Sequence, residues 1–130
     1  MMGNLDAEEK FFEAVQAFKL VDEKARASLK DIDERALRSV MIDLDAAIPG
    51  LTDENLGRAK LLKAVCCHWL YLGNLRKKKS ILFVRDAAPD PLLKEGLSYA
   101  LEGRKVLEQS GGSANDLQWA NETVRKLSGE

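Results

Sequence analysis

Three consecutive residues, Cys66, Cys67 and His68, carry side chains that bind soft metals or act as nucleophile and base. They lie in an apolar run with helical spacing. Neighbouring positions on a helix point about 100° apart, so the three cannot close around one ion. A Cys–His pair for nucleophilic catalysis fails on the same geometry unless another helix supplies one partner. His68 is the only histidine, which excludes a two-histidine metal site within the chain. Asp31-x-Asp33 begins like a calcium loop, but Ala36 stands where the turn needs glycine and Ile42 where the closing glutamate belongs. No glycine-rich phosphate cradle occurs. Glu9 with Glu13, and Glu34 with Arg38, read as ordinary solvated helix faces. No catalytic residue, cofactor or metal is therefore expected, and the chain is not expected to be an enzyme.

Charge is distributed more tellingly. Residues 1–55 hold 13 acids and 7 bases, and residues 86–130 hold 8 acids and 5 bases. Between them, residues 56–85 hold 8 bases and no acid: Arg58, Lys60, Lys63, Arg76, Lys77, Lys78, Lys79 and Arg85. Two readings compete. The acidic flanks can simply neutralise this basic centre within the fold. Alternatively, Arg58, Arg76, Lys77, Lys78, Lys79 and Arg85 form a docking surface for phosphate or an acidic protein, with Trp69 or Tyr71 adding a stacking face. The net charge of −1 and pI near 5.9 argue against a dedicated nucleic-acid binder.

The elements that must position these residues are helices. Leu61–Leu72, LLKAVCCHWLYL, is apolar at ten of twelve positions and lacks period-two alternation. Such a segment is a helix buried on most sides. Twelve helical residues rise about 18 Å, too short to span a bilayer. Asp6 and Glu9 resemble a capping box for a first helix over residues 7–30, with Phe11, Val15, Phe18, Ala25, Leu29 and Ile32 inward. Asp22 interrupts that stripe; a slight rotation brings Val21 in and leaves Asp22 at the edge. Asp33 caps a second helix with Leu37, Val40, Met41, Leu44, Ala47 and Ile48 inward, ended by Pro49-Gly50. Thr52 or Asp53 starts the third, which is expected to stop near Gly73-Asn74.

Leu75–Ala88 is expected to form a fourth helix, since Ile81–Val84 has no second strand to pair with. Arg76–Lys79 would then sit at a helix start, where the dipole disfavours cations. Asp90-Pro91 opens a fifth helix to about residue 109, with Leu93, Leu97, Ala100, Leu101 and Leu107 inward. Gly96, Ala100 and Gly103 form a small-residue ridge on it, which predicts a close-packed neighbour. Gly111-Gly112 ends that helix. Ser113 with Asp116 starts the last, with Leu117, Ala120, Val124 and Leu127 inward.

The expected fold is all-α: one domain over 1–130, five to six helices in antiparallel hairpins, arranged as a compact bundle or a short solenoid. Trp69-x-x-Leu72-Gly73 resembles the opening of a tetratricopeptide repeat over about five residues, which implies a helical-hairpin architecture. The adjacent cysteines cannot form a disulfide framework, and no secretion signal opens the chain, so a cytoplasmic setting is expected. These features point to a non-enzymatic protein-interaction or adaptor module with a protein partner and no membrane, a second copy of the chain remaining open. The alternative is a small regulator that binds an anionic ligand or nucleic acid through the basic centre.

Overall fold

A computed structural model of the chain describes the backbone of residues 2–79 and 91–128, and side chains at 6–75 and 91–128. Among these residues it contains five α-helices and no strand: α1 (Met2–Ala27), α2 (Glu34–Ala47), α3 (Asp53–Lys79), α4 (Pro91–Ser110) and α5 (Ala114–Leu127). The all-α expectation holds. No helix among the described residues is long and apolar enough to cross a membrane.

Local chemistry sets the helix ends. The Asp33 carboxylate accepts from Ala36 N at 3.0 Å, capping α2 as expected. Pro49 and Gly50 convert the end of α2 into a 3₁₀ turn, Ile48–Gly50. At the end of α4, Gly111 takes φ +73° and Gly112 N–H reaches Leu107 O at 2.8 Å. That is a Schellman closure, and it needs a residue tolerant of positive φ. Ser113 Oγ accepts from Asp116 N at 3.1 Å and starts α5.

Four expectations are corrected. First, α1 begins at Met2, so Asp6 lies within the helix and does not cap it; it ends at Ala27, where Ser28 caps a 3₁₀ turn, Leu29–Asp31. Leu29 is therefore off the helical stripe and half exposed. Second, α3 does not stop at Gly73-Asn74 but runs on to Lys79. A glycine in αR geometry costs a helix only about 1 kcal/mol, which the packing of α3 outweighs. Third, Arg76–Lys79 continue α3 and do not start a helix, so the expected conflict with an N-terminal dipole does not arise. Fourth, Leu101 is exposed, because α4 turns its glycine ridge inward instead. The proposed helix over Ile81–Val84, Arg85 and the Asp90 cap lie outside the described residues.

Helix α3 is the centre. At about 100° per residue its positions divide into four faces. Ala59, Leu62, Cys66 and Leu70 join a core with Phe11, Ala14 and Val21 of α1 and Leu37, Val40 and Leu44 of α2. On nearly the opposite face, Leu61 and Ala64 join a second core with Ala100 and Leu107 of α4 and Ala120 and Leu127 of α5. The apolar run is thus one helix serving two cores. Val21 is buried and Asp22 sits at the edge, as the stripe of α1 implied.

The predicted close neighbour of the small-residue ridge is α3, antiparallel to α4. A Cβ built on Gly103 would meet Gly57 O at 2.8 Å, and one on Gly57 would meet Gly103 O at 3.1 Å. Further along, Gly96 faces Cys67 and the Ala64 carbonyl. The two backbones approach so closely that only hydrogen fits at the crossing.

Candidate functional site

The two remaining faces of α3 are seams between the cores, and they differ. On one, Lys63 is buried at 5% exposure. Its ammonium pairs with Asp45 of α2 and lies 3.9 Å from the centre of the Tyr99 ring on α4. Burial opposes its charge, but the contacts with Asp45 and Tyr99 outweigh that and raise its pKa. Lys60 adds a 2.8 Å pair to Glu102 of α4. This seam is closed by lysines that tie α2 and α4 to α3.

The other seam runs between α1 and α5, which, like α2 and α4 at the first seam, do not touch backbone to backbone among the described residues. Toward the start of α3 it is closed by Arg58. Its guanidinium grips Asp116 of α5 through Nε at 3.1 Å and Nη2 at 2.7 Å, with Glu54 at 3.4 Å. Asp116 thereby both completes the start of α5 and anchors α5 to α3. The Arg58 hydrogen bond holds its carboxyl below the ordinary 3.8.

Stability from a depressed carboxyl pKa is present above the unfolded value and is lost as pH falls through the folded one. Asp116→Asn is expected to cost about 1–2 kcal/mol at pH 7, a charged pair discounted for the partly exposed guanidinium. The urea midpoint of the variant should fall less steeply than that of the parent as pH drops below the ordinary carboxyl value of 3.8. Equal slopes would show that the pair contributes nothing.

Farther along the same seam the helices leave a cleft of about 220 Å³. Its walls are Arg26 of α1, Val65, His68 and Trp69 of α3, and Trp119, Glu122, Thr123, Lys126 and Leu127 of α5. Positions 65, 68 and 69 share a face by helical spacing, which is why α3 presents all three here. Trp69 is held in place: its indole N–H donates to Asp22 Oδ1 at 3.0 Å, and Asp22 Oδ2 accepts from Arg26 Nε at 2.7 Å. Trp119 packs against both cores and is only partly covered. The Thr123 hydroxyl donates back to Trp119 O at 2.8 Å. Burial, and then the charge of Lys126, hold the His68 imidazole below its ordinary 6.5, favouring the neutral form. Both tryptophans of the chain line this one cleft.

The sequence candidates are distributed as follows. Trp69 is in the cleft. Tyr71, two residues on, is half-buried and does not line it. Arg58 is engaged with Asp116 and Glu54, and Lys60 and Lys63 are paired as well. These three bases serve internal neutralisation, the first of the two charge readings. Arg76, Lys77, Lys78 and Lys79 form the last described turn of α3; their side chains, and Arg85, lie outside the described residues. Trp119, Lys126 and Arg26 were not singled out from the sequence. The one signal available for Trp119 was an indole on an otherwise polar face of α5.

The soft side chains are separated as helix geometry requires. Cys66 enters the α1–α2 core, and Cys67 packs on Gly96 of α4. Both are free and fully buried. Burial raises Cys66 far above an ordinary thiol and pushes Cys67 up to about 12, so neither forms a thiolate readily. No group of three or more His, Cys, Asp or Glu placed to hold a metal ion occurs among the described residues. No protein-family model, curated protein or solved structure matches the chain.

Proposed function

We propose that the protein is a non-enzymatic interaction module, an adaptor of helical-hairpin type, that holds a protein partner in the cleft between α1 and α5. The observation that carries this reading is the asymmetry of the two seams. One is closed by buried Lys63 and by Lys60. The other is left open over two indoles, one of them fixed by a hydrogen bond to Asp22. Partly exposed tryptophans at a concave site are frequent anchors for protein partners. The hairpin frame, which the Trp69–Gly73 resemblance likens to a tetratricopeptide unit, supplies a rigid support. Two free buried cysteines fit a reducing, cytoplasmic setting.

Binding of an anionic ligand or nucleic acid through the basic centre is the weaker reading. Arg58, Lys60 and Lys63 are already paired, and Arg76–Lys79 need no outside anion to account for their place in α3.

Quantitative affinity capture tests the choice, with Trp119→Ala and Lys77→Gln/Lys78→Gln/Lys79→Gln as parallel baits. A stoichiometric protein retained by the parent and the triple variant but lost with Trp119→Ala is the expected result. Loss with the triple variant alone would transfer the site to the basic run. Equal capture by all three baits would overturn both assignments.

A further inference from the structure

The chemistry of the cleft is more specific than its shape. Its apolar lining is two indoles, Val65 and Leu127, with His68 and Thr123 beside them. Its volume of about 220 Å³ lies below the range of drug-sized pockets and suits a single large side chain. Two cations, Arg26 and Lys126, line the cleft with one carboxylate, Glu122, and the Asp22 carboxylate lies behind Arg26 and Trp69. Glu122 already accepts from Gln118 at 3.2 Å. Lys126 has no hydrogen-bond or ion-pair partner among the described residues, only the through-space repulsion with His68. Arg26 spends its Nε on Asp22 and keeps the outer edge of a 68% exposed side chain for a second acceptor. A guanidinium edge and an ammonium flanking an indole-lined hole present an anion site beside an apolar site.

From this arrangement we infer that the cleft recognises the carboxyl terminus of a partner polypeptide, the last side chain entering between Trp69 and Trp119 and the terminal carboxylate meeting Arg26 and Lys126. A terminal residue joins one apolar side chain and one carboxylate on the same carbon, which matches one hole with one cationic rim. An internal acidic residue would place its charge at the end of the side chain that has to fill the hole. The inference rests on the reading of the cleft as a partner site and names which part of the partner enters it.

Both tryptophans line the cleft, so intrinsic fluorescence reports occupancy directly. The probe is a short Trp-free peptide ending in Phe-Leu with a free carboxylate. It is titrated to about millimolar concentration against the full chain. The expected result is a saturable change in emission, weakened at least about tenfold by C-terminal amidation and by replacement of the last leucine with serine. Lys126→Gln, on an exposed position, should weaken the free acid by several-fold and leave the amide unchanged. Arg26→Lys, which keeps the charge, should retain more binding than Arg26→Gln. Acid and amide binding alike would overturn the inference. An absence of any emission change would overturn the terminus assignment, while the capture experiment decides the partner site independently.

Discussion

Leu107→Ala should lower stability by about 2–5 kcal/mol, one of the largest losses available from a single truncation in this chain. Leu107 is fully buried, and three contacts converge on it. Its side chain lies against Gly57 of α3, its Cδ2 lies near Gly112, and its own carbonyl accepts the Schellman hydrogen bond that ends α4. The truncation removes the first two and leaves a cavity beside the glycine crossing. That location predicts coupling. A Cβ on Gly57 would stand 2.7 Å from Leu107 Cγ. Gly57→Ala alone should therefore destabilise, whereas added to Leu107→Ala it should cost measurably less, because the methyl group enters the vacated space. Urea denaturation of the parent, the two single variants and the double variant checks both claims. Strict additivity would show that the two residues do not share the contact.

Gly103→Ala and Gly73→Ala should move stability in opposite directions. Both replace a glycine inside a helix, and in both the helix propensity gain is up to about 1 kcal/mol. At Gly103 the new Cβ meets a backbone oxygen at 2.8 Å, which no side-chain rotation relieves. Overpacking of this kind costs about 1–3 kcal/mol, so the net change is a loss. At Gly73 the nearest atom is Ile32 Cγ2 at 3.4 Å, an ordinary contact, and the propensity gain survives. Gly73→Ala should raise the thermal midpoint by a few degrees. A loss at Gly73 would mean that α3 breaks there, as the glycine followed by asparagine suggests from sequence alone.

That pair of glycines also shows what the sequence disclosed. The ridge Gly96–Ala100–Gly103 was legible because three small residues on one face of a helix have a packing explanation and a propensity cost. Gly57 was not legible, since one glycine early in a helix is indistinguishable from tolerated noise until its partner is known. Gly73 misled for the same reason: local chemistry offers a stop signal, and the packing of α3 overrides it. The caps at Asp33 and Ser113 were readable because they depend on three or four adjacent residues.

The candidate site was readable only in part. Trp69 stood out within its apolar run, but its partner in the cleft comes from α5, and the anchoring Asp22 lies 47 residues upstream. Lys63 looked like a polar interruption of that run. It is instead the buried tie between α2 and α4, a role that depends on Asp45 and Tyr99 arriving from two other helices. Periodicity reports which residues face inward and is silent on which inward faces meet.

The division of α3 between two cores has a consequence for how the molecule opens. The α1–α2 and α4–α5 hairpins cover opposite sides of the same helix, so either hairpin can detach while the other still covers half of α3. Complete exposure of α3 requires both events. Amide protons within 59–70 are therefore released only through the highest-energy opening, whereas those in the outer turns of α1 and α5 exchange through cheaper, independent excursions. The cleft lies along the line where the two excursions part, so a partner bound there staples one moving half to the other and should slow exchange in both hairpins at once.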